Sequence, residues 1–119
     1  MPILHCEMLG GIAVITLEVP SLDQSNASDV AARLAEAIPE EDPAIVDLGA
    51  VRYFDLSGFA RILKWAARPA VRLCSRSGSV HALLELLRAD AVITLYQSRE
   101  EALASLPRRE LPMRRTASA

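Results

Sequence analysis

Three residues in the segment "YFDLSGFARIL" (residues 53–63) have the types and spacing that suit chemistry on a phosphate group. Asp55, Ser57 and Gly58 stand where the end of an apolar strand meets the start of an amphipathic helix. The first turn of a helix has unpaired N–H groups and the positive end of the helix dipole, and both favour an anion. A phosphate carried by the Ser57 hydroxyl would therefore be stable here.

The same residues also have a purely structural interpretation. Asp55 would end the strand, Ser57 would cap the helix, and Gly58 would relieve crowding. On local grounds the sequence supports the two interpretations equally, so the surrounding elements have to decide between them.

A serine hydrolase built on Ser57 is a weaker alternative. The nucleophile of such an enzyme sits on a sharp strand-to-helix turn with small residues on both sides, but Leu56 fills one of these positions. The candidate bases are His5 and His81. We therefore predict that the chain is not an enzyme.

A metal site is also disfavoured. The candidate ligands are His5, Cys6, Cys74 and His81. Adjacent strand residues point to opposite faces, so His5 and Cys6 could not easily share an ion. Neither cysteine has the short paired spacing of a zinc or redox site, and we predict two reduced thiols in the core and no cofactor.

The elements that position this segment follow from hydrophobic periodicity. Strands are predicted for "PILHCEM" and "IAVITLE", joined in a hairpin at the glycine pair of residues 10–11. Residues 21–38 continue into a helix that Ser25 would cap. The run "AIVDL" is almost entirely apolar, as in a strand covered on both faces, and marks the centre of the sheet.

Strands and helices alternate from residue 44 onward. The helix after "AIVDL" has an apolar stripe and must end near Pro69, because proline disfavours helical geometry in the residue before it. The segments that follow are "AVRLC", "SGSVHALLELLRAD", "AVITLY" and "SREEALASL". This order predicts an α/β fold, a mixed sheet with an N-terminal hairpin followed by parallel strands, with helices packed against it.

Composition limits the classes of partner. At 119 residues, 51% of them hydrophobic, the chain has room for one domain, predicted over residues 1–106 with a flexible tail over 107–119. Thirteen Lys and Arg against fifteen Asp and Glu give a net charge of −2, which disfavours binding to nucleic acid or to an anionic membrane. No apolar run is long enough to span a membrane and no signal peptide is recognised, so we expect a cytoplasmic protein.

The segment "VDLGAVRYFDLSGFARIL" resembles the signature of STAS domains, the anti-sigma-factor antagonist family. That signature is an apolar strand ending in Asp-Leu, a short turn, an aromatic residue, and then Asp-Ser-Ser-Gly and a helix. "GGIAVITLEVPSLDQSNASDVAARL" is similar to the family's second strand, its Leu-Asp turn and its first helix, and "SREEALASL" to its closing helix. The resemblance covers about residues 5–106 and implies a STAS-like fold.

The resemblance also implies a function. In this family the second serine of the motif is phosphorylated by a partner that is both serine kinase and anti-sigma factor, and a serine phosphatase restores it. The unmodified protein binds that partner and so frees the sigma factor. By position the phosphorylated residue is Ser57. The predicted partner-binding residues are Asp23, Asp55, Leu56, Ser57, Gly58, Phe59 and Arg61.

Two departures from the family pattern bear on partner choice. Leu56 replaces the first serine of the motif, and the segment over residues 58–69 is shorter than the usual second helix with its loop. The chain could therefore serve instead as a STAS subunit of a larger signalling assembly or of a lipid or anion transporter. The sequence assigns no oligomeric state.

Overall fold

A computed structural model describes residues 3–39, 42–89 and 93–106 of the chain. Seven strands and four helices lie within these ranges. In chain order they are β1 Leu4–Leu9, β2 Ile12–Leu17, β3 Ser21–Leu22, α1 Ala27–Ala37, β4 Ala44–Asp47, β5 Tyr53–Phe54, α2 Leu56–Ala66, β6 Val71–Cys74, α3 Gly78–Leu86, β7 Leu95–Tyr96 and α4 Arg99–Ala104.

The main sheet has five strands in the order β1-β2-β4-β6-β7. The β1–β2 hairpin is antiparallel and every other pairing in this sheet is parallel. This confirms the predicted hairpin, the parallel strands and the central position of "AIVDL". Strands β3 and β5 form a separate two-stranded parallel sheet that the sequence did not predict.

The two faces of the main sheet are covered differently. Helices α1, α2 and α3 contribute buried side chains to the larger core, while α4 packs over a smaller core on the other face. Alternate side chains of β4 pack into the two cores, since Val46 belongs to the larger one and Ile45 to the smaller. Both faces of the strand are therefore dry, which is why its sequence is almost entirely apolar.

Helix α2 has the predicted apolar stripe. Phe59, Ile62, Leu63 and Ala66 are all buried, and the helix ends at Ala66, before Pro69. The Phe59 ring packs edge-on against Phe54, with 5.0 Å between ring centroids. This packing joins the first turn of α2 to the small β3–β5 sheet.

Helix α4 is fixed to the main sheet by Arg99. Its guanidinium donates hydrogen bonds to Asp47 at 2.8 Å and Thr16 at 2.7 Å, and it pairs with Glu7. The helix is capped by Ser98, whose hydroxyl accepts a hydrogen bond from the backbone N–H of Glu101. No helix in the described ranges is both long and apolar enough to cross a membrane.

Two predictions about individual residues are wrong. Cys6 is exposed on the edge strand β1, and only Cys74 is a core thiol. Ser25 does not cap α1, since Asn26 holds the N-cap position and makes no side-chain cap hydrogen bond there. The predicted tail over 107–119 and the first residues of the predicted last strand lie outside the described residues.

Candidate functional site

The small β3–β5 sheet brings two distant loops together. Leu22 pairs with Phe54, and the backbone N–H of Asp55 donates to the carbonyl of Leu22 at 3.1 Å. The turn after β3, which begins at Asp23, therefore lies beside the first turn of α2. The predicted site residues on these two segments are therefore neighbours in the fold.

Asp55 is the N-cap of α2. One carboxylate oxygen accepts a hydrogen bond from the backbone N–H of Gly58 at 2.6 Å, and the other accepts from the backbone N–H of Gln24 at 3.1 Å. The carboxylate therefore caps the helix and also holds the neighbouring loop. This corrects the structural interpretation in which Ser57 was the cap. Gln24 also belongs to the site, through its backbone N–H, and its residue type gave no indication of this role.

Gly58 is buried because α2 approaches the β3–α1 turn very closely. A Cβ atom at this position would lie 2.6 Å from the Asp23 Cα and 2.7 Å from the Leu22 carbonyl oxygen. Both are backbone atoms, which cannot swing aside as the end of a side chain can. The glycine therefore fixes the distance between the two halves of the site.

Asp23 is held within its own turn. Its carboxylate accepts hydrogen bonds from the hydroxyls of Ser21 and Ser25 and from the backbone N–H of Ser25. The hydrogen bond from the Ser25 hydroxyl is the main cause of a pKa below the ordinary value for this carboxyl, and that from Ser21 adds to it. Asp23 therefore stays ionised and presents fixed negative charge beside the first turn of α2.

Ser57 is the second residue of α2, and its side chain is exposed. Within the described part of the chain, no hydrogen bond engages its hydroxyl. Leu56, the residue before it, is a large apolar side chain that is 49% exposed. An accessible hydroxyl beside an accessible apolar group suits both modification and protein contact.

Phe59 and Arg61 differ in accessibility. Phe59 has no exposed surface and packs beneath α2 in the larger core, so its predicted part in partner binding would be to support the helix. Arg61 is exposed and donates a hydrogen bond from Nη2 to the Ser28 hydroxyl of α1 at 2.8 Å. Sequence reasoning missed Ser28, because residue spacing does not relate two positions on different helices.

Among the described residues, the groups weighed as catalytic share no hydrogen bond with Ser57. The His81 ring lies 3.2 Å from the Ser75 carbonyl oxygen, and no hydrogen bond among the described residues joins His5 or His81 to Ser57. Burial, with a smaller effect of Asp47, raises the pKa of the Cys74 thiol to about 12, so it stays protonated and a poor nucleophile. The described ranges hold no cluster of three or more His, Cys, Asp or Glu residues suited to a metal.

The cap assignment leads to a stability prediction. We expect Asp55→Ala to lower the free energy of unfolding by about 1–2 kcal/mol, because it removes both the helix cap and the hydrogen bond to the neighbouring loop. Ser57→Ala should change stability by less than about 0.5 kcal/mol, as at other surface positions. Urea denaturation of the two variants measures the difference, and an equal loss in both would contradict the assignment of the cap to Asp55.

A family model described as the STAS domain matches residues 6–102 of this chain. No curated protein matches it. The solved anti-sigma factor antagonist from Mycobacterium paratuberculosis is similar, with a TM-score of 0.75 and 17% identity over 87% of this chain and 92% of that one. The anti-sigma factor antagonist SpoIIAA in its unphosphorylated form has a TM-score of 0.59 and 19% identity, with coverages of 84% and 92%.

A transporter also contains this fold. The murine anion transporter Solute Carrier 26 family member A9, in its inward-facing state, matches with a TM-score of 0.67 and 14% identity. The match covers 82% of this chain but only 18% of the transporter. At such identities the structural matches establish the fold and leave the function to the residues of the site.

Proposed function

Because the chain belongs to the STAS domain family, we propose that it is a phosphorylation-controlled protein-binding module. It acts as an anti-sigma factor antagonist, which binds an anti-sigma factor with serine kinase activity while Ser57 is unmodified. The kinase transfers the γ-phosphoryl group of ATP to Ser57 Oγ, which loses its proton, and ADP leaves. A serine phosphatase hydrolyses the phosphate ester with water and restores the hydroxyl.

The observation that carries this proposal is the state of the Ser57 hydroxyl. It is exposed in the first turn of α2, and the fold around it is held by Asp55 and by the close approach at Gly58. A kinase can reach such a hydroxyl without unfolding the helix, and the fold survives the modification because the cap lies on another residue. Helix N-termini also tolerate a phosphate.

The switch has a simple electrostatic cause. A phosphate adds about −1.5 to −2 charges, and it would stand next to the carboxylates of Asp55 and Asp23. A partner surface that meets the unmodified hydroxyl would have to desolvate this charge and face the combined negative field. Binding should fail while folding is unaffected. Two of the comparison proteins support a role for phosphorylation, since both are anti-sigma factor antagonists and SpoIIAA, one of the two, is described in its unphosphorylated form.

A pull-down from native extract tests the proposal. Unmodified protein and the Ser57→Asp variant serve as baits, and partners lost in the variant are identified by mass spectrometry. Ser79→Asp is the matched control, because Ser79 is also an exposed serine at the second position of a helix, α3. We expect a serine kinase to be retained by wild type and by Ser79→Asp and lost by Ser57→Asp. Retention by all three baits would contradict the proposal.

We also expect no hydrolytic activity from Ser57. A serine nucleophile needs a base within hydrogen-bond reach, and neither histidine is bonded to it. Acyl-ester and phosphate-ester substrates should therefore be hydrolysed no faster by wild type than by Ser57→Ala. A rate that disappears specifically in Ser57→Ala would overturn the assignment of a binding module.

A second candidate function is that of a subunit in a transporter. The match to the murine anion transporter favours it, because the same fold forms a small part of that much longer chain. The pull-down distinguishes the anti-sigma factor antagonist from the transporter subunit. A membrane permease or its ATPase, recovered in place of a kinase, would favour the transporter.

A further inference from the structure

Ser57 and Arg61 lie four residues apart on α2, and both are exposed. Residues with this spacing are neighbours on a helix surface, with about 5–6 Å between their Cβ atoms. The favourable order for an ion pair places the anion on the N-terminal side of the cation. A phosphate on Ser57 would meet both conditions with Arg61.

In the unmodified protein, Arg61 is held by a hydrogen bond that another acceptor can replace. Its Nη2 donates to the Ser28 hydroxyl at 2.8 Å, a neutral acceptor at the surface, and within the described ranges Arg61 forms no ion pair. A phosphate on Ser57 would offer the guanidinium a full opposite charge and several oxygens that match its paired N–H groups, and the neutral Ser28 hydroxyl offers neither. Ser28 is exposed, so water can replace the guanidinium there.

The other cations of α2 and its C-terminal end are less well placed. Lys64 is seven residues from Ser57, which is about 10 Å along the helix axis. Arg68 donates to the Ile38 carbonyl at 3.1 Å and lies over the Trp65 ring, 4.9 Å from its centroid. Arg61 is therefore the cation of α2 best placed for a phosphate on Ser57.

We propose that Arg61 is the internal counter-ion of phosphorylated Ser57 and that it leaves Ser28 of α1 to pair with the phosphate. This inference rests on the proposed function, because it concerns the modified state of the same serine. Phosphorylation then has two effects. It adds negative charge where the partner binds, part of which Arg61 neutralises, and it removes the hydrogen bond between α1 and α2.

Titration of the phosphate by ³¹P NMR tests the inference. Phosphoserine is installed at position 57 of the full chain during translation, so no kinase is needed. The second pKa of a phosphoserine is about 6. Asp55 and Asp23 raise it equally in all variants, whereas Arg61 favours the dianion and lowers it. We expect the phosphate of Arg61→Gln to titrate about 0.2–0.4 pH units above that of wild type, the size of an i,i+4 ion pair.

Two further variants give the test its controls. Arg61→Lys keeps the charge and should retain most of the lower pKa, while Lys64→Gln should titrate like wild type. A pKa unchanged in Arg61→Gln, or raised as much in Lys64→Gln, would overturn the inference. Neither result bears on the switch itself, which fails separately if the kinase modifies a residue other than Ser57.

Discussion

Gly58→Ala is expected to lower the free energy of unfolding by about 2–3 kcal/mol, the upper part of the usual cost of forcing an extra carbon into packed surroundings, because the new atom would meet backbone. The new Cβ would lie within 3 Å of the Asp23 Cα, the Leu22 carbonyl oxygen and the Asp23 nitrogen. To make room, α2 must move away from the β3–α1 turn, which also weakens the hydrogen bonds that Asp55 makes to both. Urea denaturation, followed by circular dichroism, measures the loss.

Gly78→Ala is the matched control for this substitution. Gly78 is also in the first turn of a helix, but a Cβ there would meet no atom of the described residues within 4 Å. The variant should be as stable as wild type or more stable by up to about 1 kcal/mol, because alanine restricts the unfolded chain. Equal stability of the two variants would show that the close approach at Gly58 is not needed for the fold.

The second large effect concerns binding by the Ser57 variants. Ser57→Ala should bind the anti-sigma factor about as well as wild type and should resist regulation, because it removes only a hydroxyl. Ser57→Asp should fold normally but bind its partner poorly, since its carboxylate joins those of Asp55 and Asp23 at the interface. Aspartate carries one charge where phosphate carries nearly two, so its effect should be the smaller. Titration calorimetry with the partner identified by pull-down measures both variants.

A full switch sets the scale of the effect. To move an equilibrium from about 99% bound to about 1% bound requires a change of about 5.5 kcal/mol, or about 10⁴-fold in affinity. Burial of an unpaired charge supplies free energies of this order. Ser79→Asp again serves as the control, and a loss of affinity equal to that of Ser57→Asp would indicate a general effect of charge.

The elements of the fold with strong periodicity were predictable from sequence. The stripe on α2 repeats over about two turns, and "AIVDL" is apolar except for Asp47 because both of its faces are buried. By contrast, β3 and β5 have two residues each, too few to show any period, and their pairing depends on contacts 32 residues apart in sequence. The sequence could therefore not show how the Asp23 turn reaches α2.

The details of the site depended on similar long-range contacts. Both Asp55 and Ser57 are good N-cap residues, and the sequence did not distinguish them. The structure assigns the cap to Asp55, whose second oxygen is used by Gln24 across the site. The pairing of Arg61 with Ser28 joins two helices and likewise has no local signal. The prediction that Cys6 is buried in the core is wrong because its strand, β1, lies at the edge of the sheet, where alternate residues need not be buried.

The most direct test of the central claim is a titration of the kinase partner with protein fully phosphorylated on Ser57 and with unmodified protein. Mass spectrometry after incubation with the partner and ATP first identifies the modified residue. We predict phosphate on Ser57 and an affinity of the phosphorylated protein lower by about 10³-fold or more, in line with the scale of a nearly complete switch. Phosphate on another residue, or equal binding of the two forms, would contradict the account.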